Sequence, residues 1–224
     1  MGSTQSLSLD GDQTMYTLYW NHGSASLTAH AALEESGASY KLRYLDMDKG
    51  DHKSPAYLKI NPNGKVPALA IEGGPVMFET VAIALAIAER HPDSGLAPAI
   101  GDPARPLYLQ WLVHLTNTIQ PIYVQYYYPE RSTTNPAHVE EVKAKAQEMI
   151  GEAWGRIDRY LADAGPYMIG KRFSAADLPV IMLSHWREAQ PEMLTRNRHV
   201  ARLVELVSAR PAVARVLKEN KLAA

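Results

Sequence analysis

A chain of 224 residues with 46% apolar content can fill one or two cores of ordinary domain size. Its 23 basic and 24 acidic residues leave a formal charge of -1, too even a balance to gather nucleic acid or an anionic membrane surface. There is no cysteine, which excludes disulfides, thiolate metal sites, CxxC redox chemistry and a cysteine nucleophile; any thiol chemistry must act on a borrowed thiol.

Residues 1–14 are rich in Ser, Gln, Asp and Gly and lack an apolar h-region, and no apolar run reaches the roughly 20 residues of a membrane span. They read as a disordered leader or appended remnant, with cytoplasmic retention as the default. Residues 15–20 (MYTLYW) are aromatic enough for a strand, followed by the polar turn Asn21, His22, Gly23, Ser24. Apolar spacing predicts a helix over 27–36 that ends on a left-handed Gly37, and the alternation of Tyr40, Leu42 and Tyr44 predicts a second strand over 39–46. Residues 48–59 read as charged loop with a helical turn. KVPALAI at 65–71 and residues 76–78 flank the turn Glu72 to Pro75 as a hairpin, and a helix follows over 79–90. The order β-α-β then β-β-α predicts a mixed α/β layer.

Pro92, Gly95, Pro98, Gly101 and Pro103 mark a linker over 93–103. Beyond it the periodicity is helical throughout, over 104–128, 136–163, 175–189, 197–208 and 211–219, with prolines at the edges. A domain over 15–92 is thus followed by a helical bundle over 104–224.

Four features in this order resemble the cytosolic glutathione transferases, across residues 15–220. They are YWNHGSASLTAHAALEESG, which looks like the bacterial branch; INPNGKVPAL, similar to the family's NPxGxVPxL segment; FETVAIALAIAER; and GKRFSAADLPVIML. The resemblance implies a thioredoxin-like N-terminal domain with a mixed four-stranded sheet, a helical substrate domain, and a homodimer. It implies a cis bond before Pro67, with Val66 offering its backbone to the cysteinyl part of glutathione as an added strand; a trans proline at an edge strand is the plainer alternative. Glu79 and Thr80 match the pair at a helix N-terminus that suits the γ-glutamyl carboxylate and ammonium, the alternative being simple capping. Lys53 completes the glutathione-site match. Ser174 and Asp177 form an S-x-x-D capping box, with Phe173 and Leu178 as a staple, a folding element.

Glutathione is the implied co-substrate, and its thiol must be activated, since a free thiol is mostly protonated at neutral pH. The beta-type relatives carry Cys where this chain has Ala25, which removes mixed-disulfide chemistry. Donors in the same turn are Asn21, Ser24 and Ser26, with His22 and Tyr19 behind them; the serines also fit as small or capping residues. Where related enzymes offer a His-Lys pair, this chain has Gln120 and Pro121, so that role is not carried over. Trp111, Tyr123, Tyr126, Tyr127 and Tyr128 crowd one helical stretch, of which Trp111, Tyr123 and Tyr127 are taken as pocket for a hydrophobic electrophile, against core or dimer contacts. The eight histidines show no HxH, HxxxH or HExxH spacing, so no metal is expected. Glutathione transfer is the first reading; a glutathione-dependent lyase, isomerase or dehalogenase, or a non-catalytic ligand-binding protein, are the others.

Overall fold

Strand β1, Tyr16–Trp20, turns Tyr16, Leu18 and Trp20 inward and leaves the alternate residues Thr17 and Tyr19 half-open, as period-two alternation requires. The computed structural model describes residues 15–186 and 192–222; the expected leader over 1–14 lies outside them. Helix α1, Ser26–Ser36, closes on Gly37 at φ 69, whose N–H bonds the Glu34 carbonyl, the left-handed cap expected there. Strand β2, Tyr40–Tyr44, runs parallel to β1 with Tyr16 beside Tyr40 and Trp20 beside Tyr44. The helical turn expected in the next loop is α2, Pro55–Leu58, whose Ser54 hydroxyl caps the Tyr57 N–H. Strands β3, Ala68–Ile71, and β4, Val76–Phe78, form the hairpin, and β3 also pairs antiparallel with β1. Strand β3 starts later than the expected Lys65, since Pro67 has no N–H to give to the ladder; the Val66–Pro67 peptide is cis. Helix α3, Thr80–Arg90, completes the domain, and the sheet order is β2-β1-β3-β4. The mixed four-stranded sheet is therefore present.

The stretch read as a linker buries Leu96, whose carbonyl accepts the Ala175 N–H at 2.8 Å. Helices α4, Arg105–Val113, and α5, Gln120–Tyr127, stand where the periodicity predicts one continuous helix; a π-helical stretch, His114–Ile119, separates them. Pro121 in the first turn of α5 has no N–H for the preceding turn, and a widened turn accommodates that loss. Helix α6, Val139–Ala164, follows a turn capped by Asn135. Helix α7, Leu178–Ser184, is shorter than the expected 175–189, of which 187–189 lie outside the described residues. Helices α8, Met193–Arg196, α9, Arg198–Ser208, and α10, Pro211–Glu219, end the bundle.

The capping box before α7 is complete. The buried Asp177 carboxylate accepts the N–H groups of Ser174 and Met168, each at 2.8 Å, while Ser174 caps Ala176. Burial pushes the Asp177 carboxyl up to about 7, against the pull of those N–H groups. Phe173, expected to staple to Leu178, lies under the Arg210 guanidinium at 3.8 Å.

Both domains close on α1. The Arg210 guanidinium of the α9–α10 turn makes two 2.7 Å bonds to Glu35, and Arg215 of α10 bonds Glu34 at 2.7 Å. His30 of α1 is 1% exposed, its Nε2 lying 3.1 Å from the Tyr40 hydroxyl and 3.9 Å from the Glu219 carboxylate. Burial holds this imidazole down at about 4, with Glu34 opposing.

Because the folded His30 pKa lies below its ordinary value near 6.5, the unfolded chain binds the proton first as pH falls. Its stabilising contribution is present above about pH 6.5 and is lost as pH falls towards 4. His30→Gln, which does not titrate, is expected to remove about 2 kcal/mol of the stability loss between pH 7 and pH 5. Urea titrations of both proteins at the two pH values check this, and equal losses would contradict it.

Candidate active site

The sheet register gathers the site. Tyr19 lies opposite Ala68, and Ala68 opposite Phe78, so the turn leaving β1, the segment entering β3 and the start of α3 share one end of the sheet. The expected residues Asn21, Ser24, Ser26, Val66, Pro67, Glu79 and Thr80 all fall there.

The three donor candidates do not stand alike. Asn21 gives its amide to the Leu45 carbonyl at 2.8 Å and to the Tyr44 hydroxyl at 3.3 Å, fastening β1 to the end of β2. Its carbonyl oxygen accepts from Ser24 Oγ at 2.8 Å and Ser26 Oγ at 3.1 Å. Ser26 has no exposed surface and so cannot touch a ligand, which corrects the expectation of a direct donor there. Ser24 is half-buried at the entry to α1. His22 packs on the rings of Trp20 and Tyr44, with centroids at 4.8 and 5.0 Å, and burial followed by Lys221 lowers its pKa. Tyr19 faces the Tyr57 ring of α2 at 5.7 Å.

Gly23 adopts φ 60, which favours glycine. Its N–H donates to Asn220 Oδ1 at 3.2 Å and its carbonyl accepts Trp186 Nε1 at 2.7 Å. Asn220 is 2% exposed and also donates to the Val216 carbonyl. Both contacts come from the helical domain, and sequence reasoning missed both.

Before β3, the Lys65 carbonyl accepts from the Tyr57 hydroxyl at 2.7 Å and Asn61 Nδ2 at 2.8 Å, which fixes the backbone leading to Val66. Lys53 Nζ donates to the Gly64 carbonyl at 3.0 Å. Gly64 sits at φ 56, and a Cβ there would meet Lys53 Nζ at 2.8 Å. Glu79 holds φ 75, ψ 114 with an exposed side chain that makes no cap bond, so simple capping does not account for it. Thr80 is buried and donates its hydroxyl to the Ala25 carbonyl at 3.4 Å, joining the N-termini of α1 and α3. Two helix N-termini at one sheet end favour an anionic ligand.

Of the expected pocket aromatics, Tyr123 has no exposed surface: its hydroxyl accepts Trp154 Nε1 at 2.7 Å and its ring meets Trp186 edge-on. Trp111 is 8% exposed and packs on Tyr160 at 4.4 Å. Both lie in the core rather than on an open pocket wall, Tyr123 bonded to the buried Trp154 and Trp111 packed on the half-buried Tyr160, both on α6. Tyr127 is exposed, its ring against Tyr126. Among the described residues, no group of three or more His, Cys, Asp or Glu is placed to hold a metal, and no helix is long and apolar enough to cross a membrane.

With this geometry in place, the family comparisons agree with it. Residues 15–89 match the glutathione S-transferase N-terminal domain and residues 116–220 the C-terminal domain. The chain is 26% identical to the glutathione S-transferase GstA of Escherichia coli O157:H7, over 92% of this chain and 98% of that one. A glutathione transferase homologue from Sulfitobacter, solved with bound glutathione, superposes with a TM-score of 0.86 at 26% identity, covering 93% of this chain and 99% of that one. A sphingomonad glutathione S-transferase complexed with glutathione gives 0.79 at 31% identity, covering 92% and 100%. The chain belongs to the glutathione S-transferase family.

Asn220→Ala is expected to leave the Gly23 N–H without its partner and to remove the side-chain bond to the Val216 carbonyl, which keeps the backbone N–H of residue 220, at a cost of about 2 kcal/mol. For a chain of this size that lowers Tm by about 4–8 °C. Scanning calorimetry checks it, and a Tm within about 1 °C of the parent would contradict the clamp.

Proposed function

We propose that this protein activates the thiol of glutathione through the Ser24 hydroxyl and transfers it to a hydrophobic electrophile, as a detoxifying conjugation. One observation carries the reading: Asn21 gives its amide to Leu45 and Ser26 is sealed, whereas the half-buried Ser24, just before the start of α1, has a hydroxyl with two alternative oxygen partners, the Asn21 carbonyl and Ser26 Oγ. In this reading Val66 pairs its backbone with the cysteinyl unit, next to the cis Pro67. The N-terminus of α3 at Thr80 receives the γ-glutamyl carboxylate and Glu79 its ammonium. Lys53 borders the same loop, and Tyr127 lines the acceptor pocket. Glutathione is the co-substrate and no metal takes part. The functional division is a glutathione-binding domain over 15–92, a linker over 93–103 and a substrate domain over 104–224, in a cytoplasmic protein.

Conjugation of glutathione to an activated aryl halide tests the reading. Glu79→Ala should weaken glutathione binding tenfold or more in calorimetry, since a charge-assisted bond is worth about 1.5–3 kcal/mol. Ser24→Ala should keep the affinity and raise the pKa of the bound thiol, followed by thiolate ultraviolet absorption. An unchanged thiol pKa would remove Ser24 from the role.

The same reading includes a symmetric homodimer. Val76 and Phe78 on β4 and Val113 and Val124 on the α4–α5 stretch are exposed apolar residues that support a buried interface. Sedimentation at micromolar concentration should give about twice the chain mass; a value near 24.8 kDa would overturn the dimer.

A further inference from the structure

The turn holds two hydroxyls where one sulfur has to be served. Ser24 Oγ and Ser26 Oγ lie 2.7 Å apart, and each reaches the Asn21 carbonyl, at 2.8 and 3.1 Å. The three oxygens close a triangle around two hydroxyl protons. Two backbone donors complete it: the Ser26 N–H points to Ser24 Oγ at 3.2 Å and the Asn21 N–H to Ser26 Oγ at 3.4 Å.

A hydroxyl has one proton to donate. When Ser24 turns its proton out of the triangle, the Asn21 carbonyl loses a partner, and a partly buried carbonyl without one is unfavourable. Ser26 can supply the replacement, because its own proton reaches either the Asn21 carbonyl or Ser24 Oγ. Donated to Ser24 Oγ instead, that proton polarises the Ser24 hydroxyl, as linked hydrogen bonds do; the replacement at Asn21 uses the first arrangement. Ser26 itself is sealed from any ligand, being 0% exposed.

We propose that Ser26 is a positioning residue that releases the Ser24 proton for the glutathione sulfur by taking over its place in the triangle. This rests on the reading of Ser24 as the thiol's donor. Without Ser26, the Ser24 hydroxyl is held by the Asn21 carbonyl and is a poorer partner for the thiolate. No bond is formed or broken apart from hydrogen bonds, so each proton stays on its own oxygen.

The experiment is a double-mutant cycle on the pKa of bound glutathione, read from thiolate absorption in the binary complex, with affinity by calorimetry and Tm alongside. The proteins are the parent, Ser24→Ala, Ser26→Ala and the double variant. Ser26→Cys, which keeps the volume and a weak donor, serves as the second variant at this buried position. Ser26→Ala is expected to raise the thiol pKa by about one unit, a tenfold change in the thiolate-to-thiol ratio, with affinity within about threefold. Ser26→Cys should shift it in the same direction by less. In the Ser24→Ala background the Ser26 effect should vanish. A purely structural role would lower Tm without moving the thiol pKa, and that result overturns the proposal. Full additivity of the two effects overturns it also, because Ser26 would then act independently of Ser24. If Ser24→Ala raises the pKa and Ser26→Ala does not, the proposal fails while the Ser24 reading stands. If Ser24→Ala changes nothing, the Ser24 reading fails and the proposal with it.

Discussion

Helix α1 has no open face along its first two turns: every residue from Ser26 to Leu33 is buried. A helix enclosed on all sides must be apolar or small on all sides, and Ala29, Ala31 and Ala32 let its neighbours approach closely. The sheet and α3 take one side, while α7 and α10 take the other. Its last turn is fixed by charge, since Glu34 and Glu35 meet Arg215 and Arg210 from the helical domain. The start of α1 therefore inherits its position from both domains, and the turn before it is set before any ligand arrives.

Around that fixed start the remaining groups fall into place by register. The β1, β3 and β4 ends are level, so α3 begins beside α1, and the Thr80 hydroxyl reaches the Ala25 carbonyl between them. Glu79, at the bend from β4 into α3, holds a positive φ that costs a non-glycine residue about 1–3 kcal/mol. Its side chain makes no cap bond in exchange. Strain of this kind, at the N-terminus of a helix and with an exposed carboxylate, is consistent with a residue retained for what it binds.

Most of this frame is legible in the sequence because the signals are local. Alternation marks β1 and β2, Gly37 marks the end of α1, the Gly-Gly turn marks the hairpin, and Ser174 with Asp177 spells a capping box within four positions. What stays hidden depends on partners far along the chain. Tyr123 is core because Trp154 and Trp186 cover it, and no helical period shows that. Gly23 is gripped by Trp186 and Asn220, 163 and 197 positions away. Ser24 and Ser26 are near neighbours of the same type, yet one is sealed and the other is not, a distinction set by turn geometry alone.

A hydroxyl is a mild activator, and the thiol chemistry explains why mild suffices. A bond from a hydroxyl to a thiolate is worth about 1.5–3 kcal/mol, or about one to two pKa units. The N-terminus of α1 adds about 0.3–1 kcal/mol. Under the proposed role of Ser24, the two together would bring a thiol from near 8.5 to about 6–7, where much of it is ionised at neutral pH. A fixed cation would lower the value further, but nucleophilicity falls with thiol pKa at a slope of about 0.4–0.5, so the best attacking thiol titrates near ambient pH. Beyond that point each additional unit of acidity adds little thiolate and removes reactivity. A turn that supplies one adjustable proton thus suits the proposed reaction better than a permanent charge would, and a chain without cysteine leaves the borrowed thiol with no competitor of its own kind.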